Sequence, residues 1–89
     1  MNDVASTLRA RLADLAPSAL DLRDDSADHA GHAGAASGAR HFSLTIVSNA
    51  FAGLSRLERH QKVLSRLNDL LPYPIHALSI KALAPDEIH

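Results

Sequence analysis

Six histidines and no cysteine stand among the 89 residues, so any metal chemistry in this chain falls to imidazole. Imidazole nitrogen suits iron, zinc, nickel and copper, and a protein site normally gathers three or four ligands. His29 and His32 lie in the small-residue tract Asp28-His29-Ala30-Gly31-His32-Ala33-Gly34. His41 precedes a strand-like run, His60 sits inside a helix-like run, His76 opens a second strand-like run, and His89 is terminal. Asp24 and Asp25, close to His29, are a conceivable acid–base group, although a solvated strand end explains them more simply. No nucleophile elbow, phosphate loop or cysteine nucleophile accompanies them. So small a chain also builds no enclosed pocket easily, and a non-enzyme is expected.

The elements that must position these side chains follow from periodicity. Val4, Ala5, Leu8, Leu12, Leu15 and Ala16 recur at helical spacing. Asn2 or Asp3 can cap that helix, and Pro17 stops it at the preceding residue. Leu20 and Leu22 alternate with Asp21 and Arg23 as a short strand. Residues 27–39 hold no period and read as a mobile loop, long for a hairpin connection. From Arg40 to Ser48 a clear strand puts Phe42, Leu44 and Ile46 on one side. A turn over Asn49 to Gly53 follows, and then Ser55-x-x-Glu58 is a capping box opening a helix to about Leu71. Its expected buried stripe is Leu57, Val63, Leu64, Leu67, Leu70 and Leu71. Pro72 and Pro74 end it, and Ile75 to Leu83 alternates as the last strand.

This order predicts an α/β (α+β) fold over a single domain, residues 1–89: a three-stranded mixed sheet with helices on one face. The final strand–helix–strand unit is long enough for a parallel crossover. Parallel neighbours start at the same sheet edge, so the loop histidines, His41 and His76 are expected to converge on one rim.

Bulk properties narrow the functional classes. A net charge of −1 lacks the basic excess of a general polyanion binder. Two Phe and one Tyr are too few for a base-stacking platform. No apolar run has the length to span a bilayer. Asp3 and Asp14 are out of character for a transit peptide, and the absence of cysteine favours the reducing cytoplasm.

Taken jointly, Gly38-Ala39-Arg40-His41-Phe42-Ser43-Leu44-Thr45-Ile46-Val47-Ser48, Phe51-Ala52-Gly53-Leu54-Ser55-Arg56-Leu57-Glu58-Arg59-His60 and Ile75-His76-Ala77-Leu78 resemble the BolA family, from about Leu8 to the end of the chain. The resemblance implies a KH-like fold and a partner, a monothiol glutaredoxin. That partner brings a thiolate and a glutathione to a shared [2Fe–2S] cluster. It also implies a role in iron–sulfur trafficking or iron regulation. Clusters are held mainly by thiolates, with histidine replacing cysteine on one iron in some centres, so a chain without cysteine would donate imidazoles only. His76 matches the family's C-terminal histidine. His29 matches the second ligand position after the first strand, with His32 as its rival because the loop is longer here and lacks the Pro often found there. A protonated imidazole cannot coordinate, so such an interaction is expected to weaken near pH 6.

The residues alone leave blander readings. His76 shares a strand parity with Leu78 and Ile80, as a core-edge histidine would. His29 and His32 fit solvated loop positions equally well. His41 reads as structural, His60 as a core-edge residue on the apolar stripe, and His89 as a disordered end. A mononuclear zinc or nickel site is a further option, but a loop is a poor scaffold for three ligands. The competing functional class is DNA binding by a transcriptional regulator, through Arg56, Arg59, Lys62 and Arg66 on the second helix. Glu58 and Asp69 interrupt that positive field, and Arg59 is expected to pair with an acid on its own helix. Gly31-His32-Ala33-Gly34 matches the KH-domain G-x-x-G, but it would join strands here and not helices. The apo chain is expected to be a monomer or a weak homodimer.

Overall fold

The computed structural model describes residues 4–24, 40–73 and 75–88. Helix α1 spans Val4–Leu12 and buries Leu8 and Leu12. It tightens into a 3₁₀ turn over Ala13–Leu15, and Ala16 adopts a left-handed conformation with φ 49°. The helix therefore stops short of the expected Ala16, which is exposed and lies outside the apolar face. The residue before a proline disfavours helical geometry, and Pro17 imposes that limit. The expected cap at Asn2 or Asp3 lies outside the described residues.

Strand β1 (Ala19–Asp24) runs antiparallel to β2 (Arg40–Val47), and β2 runs parallel to β3 (Ile75–Leu83), in the order β1-β2-β3. Alternation sends Phe42, Leu44 and Ile46 to one face, where they join Leu8, Leu12 and Leu15 in a single core. Leu20, Leu22, Leu78, Ile80 and Ala82 border it. The opposite face carries Asp21, Arg23, Ser43, Thr45, Ser79 and Lys81, exposed or half-buried. Both helices thus cover one side of a mixed sheet, as expected.

Ser48 ends β2 and is buried, at 1% exposure. Its hydroxyl donates to the Leu15 carbonyl and accepts from the Ala50 N–H at 3.0 Å. It thereby caps the 3₁₀ turn Asn49–Phe51 and ties the end of α1 to the end of β2. Gly53, at φ 78°, takes a conformation that a Cβ would strain.

Helix α2 occupies Arg56–Leu64, opened by the expected Ser55/Glu58 capping box. It ends seven residues before the expected Leu71 (71 − 64). The cause is local. Ser65 Oγ donates to the Lys62 carbonyl at 2.7 Å and the Arg66 guanidinium does so at 2.8 Å. A continuing helix would offer that carbonyl to the Arg66 N–H, which instead reaches Val63. Side-chain competition of this kind unwinds helices. Val63 and Leu67 are fully buried, whereas Leu57, expected in the stripe, is 63% exposed. Leu57 lines a groove with Leu54, His60, Ile80 and Ala82.

Candidate functional site

Because β2 and β3 are parallel, Arg40 and Ile75 begin the two strands at the same edge. The register then slips: Arg40 faces Ile75, but His41 faces Ala77. His76 is the extra residue of a bulge, a feature that re-aims side chains and concentrates near functional sites. Ile75 is fully buried and Leu78 packs on the core, while the two residues between them, His76 and Ala77, are both exposed. The core-edge reading of His76, built on its parity with Leu78 and Ile80, therefore fails: the bulge breaks the alternation.

The half-buried ring of His41 lies beside that of exposed His76, with centroids 5.2 Å apart and planes tilted by 47°. His41 does point away from Phe42, but it faces the rim histidine. On the β1 side the rim is closed by Arg40, which donates to Asp24 at 2.9 Å. Asp24 is thus engaged in an ion pair, which leaves the Asp24–Asp25 acid–base idea without support. Asp25, His29, His32 and His89 lie outside the described residues. Among the described residues no three potential ligands cluster. Two imidazoles without a thiolate are too few for a whole cluster or a three-ligand ion. An imidazole pair at a sheet edge, one ring exposed and one half-buried, does fit the smaller task of completing a centre whose other ligands come from a partner.

The basic residues lie elsewhere. Arg59 is not paired within its own helix. Its guanidinium donates to Glu87 through two nitrogens, one at 2.8 Å, and to the carbonyls of Leu54 and Ala82 at 3.0 and 3.1 Å. Only 13% of the Arg59 side chain is exposed. The guanidinium, followed by the Ala84 N–H, holds the Glu87 carboxyl down at about 2, and Glu87 in turn raises Arg59. Arg66 donates to Asp14 at 2.7 Å and lowers it, while Arg11 does the same for Asp69. Arg56 is exposed and Lys62 half-buried. His60, expected at the core edge, is exposed in the groove beside Leu57.

Arg59 and Ser48 were the residues whose roles the sequence hid. Ala84-Pro85-Asp86-Glu87 carried a usable signal for the first: a proline opening a turn whose acid sits three residues after its cap. The Glu87 carboxylate accepts from the Ala84 N–H there.

A helix, an antiparallel strand pair and a crossover helix leading to a parallel third strand define a small α+β domain that presents histidine at one sheet edge. The family model for BolA-like protein matches residues 12–87, and the chain belongs to the BolA family. It is 41% identical over 83 residues to BolA-like protein 1 of Mus musculus, covering 92% of this chain and 58% of that relative. The chain thus spans little more than half the length of that relative. BolA1 from Arabidopsis thaliana has the same fold, with a TM-score of 0.84 at 33% identity over 100% of both chains. The DNA-binding transcriptional regulator BolA of Haemophilus influenzae is 38% identical over 47 residues, covering 53% of this chain and 46% of that protein.

Proposed function

We propose that the chain is a non-enzymatic adaptor of iron–sulfur trafficking or iron regulation, and that it lends imidazole to a [2Fe–2S] cluster shared with a monothiol glutaredoxin. The observation that supports this most is the bulge that leaves His76 exposed at the rim while Ile75 anchors the strand in the core. His76 would ligate one iron. His29 or His32 would be the second donor, and glutathione would arrive with the partner. A bound cluster would supply the redox-active iron, and the chain's own residues would hold an imidazole at a fixed edge. Among the described residues no helix is long and apolar enough to cross a membrane. The proposed compartment is the cytoplasm, since a chain without cysteine suits reducing conditions.

The test is visible absorption and circular dichroism of the chain titrated into a [2Fe–2S]-loaded monothiol glutaredoxin, beside His76→Ala, His29→Ala and His32→Ala. A shifted cluster spectrum that requires His76 is expected. An unshifted spectrum with the wild-type chain rejects the reading.

The alternative is DNA binding by α2, favoured by the printed name of the Haemophilus relative and by exposed Arg56. It is weakened by the engagement of Arg59 and Arg66 in ion pairs.

A further inference from the structure

The bulge at His76 has a consequence for His41, a residue outside both positions that the family resemblance assigns to ligands. A regular β3 would send only every second residue outward. The slipped register exposes His76 and Ala77 together and brings the His76 ring against His41. An aromatic pair prefers centroids ~4.5–7 Å apart and contributes ~0.5–1.5 kcal/mol beyond its buried area, a range that includes this pair. The same spacing also suits coordination of one ion by both rings. Two imidazoles bound to one tetrahedral ion through metal–nitrogen bonds of ~2.0–2.1 Å hold their ring centres ~5 Å apart. The observed separation is 5.2 Å.

We propose that His41 and His76 form a two-imidazole clamp for one transition-metal centre of the zinc and iron class, built by the bulge and independent of the histidines at 29 and 32. Both donors sit on paired strands, a more rigid base than a loop for metal geometry. Ile75 and Phe42, each deeply buried, fix the backbone on either side of the pair. A partner supplies the remaining ligands by approaching the rim, away from the helices. The proposal rests on the iron–sulfur reading only for the identity of the physiological centre, and it puts His41 in the place that reading gives to His29 or His32.

Zn²⁺ alone is the probe, added to the full apo chain without glutaredoxin and followed by the nitrogen chemical shifts of the imidazoles and by calorimetry. The expected result is that the His41 and His76 rings shift together up to one equivalent of Zn²⁺, with His60 unmoved. His41→Ala and His76→Ala should each lower affinity at least ~10-fold, and the double variant His29→Ala/His32→Ala should stay within about twofold. Binding that survives His41→Ala, or that is lost in the double variant, overturns the clamp, as does the absence of any Zn²⁺-dependent shift. The two proposals fail separately. A glutaredoxin cluster shift that needs His76 but not His41 leaves the adaptor standing without the clamp. Zn²⁺ bound by the pair without any cluster shift leaves the clamp without the adaptor.

Discussion

The two ends of the sheet treat their polar side chains in opposite ways. At the starting edge of β2 and β3, a bulge turns His76 outward beside His41. At the other end, seven steps along β2 from Arg40 to Val47, or roughly 23 Å at ~3.3 Å per residue, one of the cations expected to read a phosphate is enclosed. Arg59 there binds two carbonyls and a carboxylate of its own chain. A guanidinium held this way staples the segment after β3 onto α2; it would have to break those bonds before engaging DNA. Side chains of similar promise in the sequence thus separate into an outward-facing pair and an inward-facing staple. The difference teaches that a cationic helix face is a weak functional sign until its counter-charges are located.

The sharpest way to break this comparison is to remove the support beneath the rim. Ile75 is fully buried, and Ile75→Ala should destabilise the fold by ~2–5 kcal/mol while Ile75→Val costs ~0.5–1.5 kcal/mol. Urea titration reads both. If the pair depends on the anchored bulge, Zn²⁺ affinity should fall in the alanine variant under folding conditions and persist in the valine variant. Equal affinity in both would mean that the bulge does not position the site. The matching change at the far end is Ser48→Ala. It leaves the Leu15 carbonyl and the Ala50 N–H without their hydroxyl partner, at a cost of ~1–3 kcal/mol and with Zn²⁺ binding unchanged.

Much of this contrast could be read in the residues, and the failures have physical causes. Strict alternation in Phe42, Leu44 and Ile46 fixed the inner face, and Ser55-x-x-Glu58 marked the start of α2. The convergence of His41 and His76 followed from parallel topology alone. The bulge was invisible because Ile75-His76-Ala77-Leu78 suits either parity, and only the fully buried Ile75 decides between them. The end of α2 was misplaced because apolar spacing continues through Leu67 and Leu71, while Ser65 and Arg66 capture the Lys62 carbonyl. Glu87 lies 28 residues from Arg59, beyond any helical spacing rule. The choice between His29 and His32 falls on residues outside the described part.

The staple itself is tested by acid. Glu87 titrates at about 2 in the fold, against an ordinary 4.5. A carboxylate depressed in the folded state binds its proton more readily when unfolded, so stability falls as pH drops through that interval. The contribution is complete above about 4.5 and lost near 2. Glu87→Gln should therefore lower the urea midpoint at neutral pH, flatten its decline over that window and converge with the wild type near the lower limit. Asp14, Asp69 and Glu58 are depressed too, so part of the decline should remain. The same variant removes the counter-charge of Arg59 and leaves its two carbonyl partners. If α2 reads DNA, its salt dependence should steepen by about one counterion; an unchanged slope counts against the DNA reading.

The smallest expected effect asks whether the two ends are coupled at all. Ala16 holds φ 49° at the end of α1, a conformation that disfavours a Cβ and suits glycine. It neighbours Leu15, the acceptor of the Ser48 hydroxyl, and therefore belongs to the far end. Ala16→Gly should relieve the left-handed strain, while the freer unfolded chain offsets part of that gain. The net change should be a stabilisation of at most ~1 kcal/mol, seen as a higher urea midpoint with an unchanged slope. Zn²⁺ affinity should not move, because Ala16 lies near the Val47 end of β2, where Ser18 donates to the Val47 carbonyl, and His41 stands at the opposite end. If affinity rose along with stability, the rim would be limited by global opening of the fold. An unmoved affinity in a stabilised chain would make the imidazole pair a local property of the β2–β3 register.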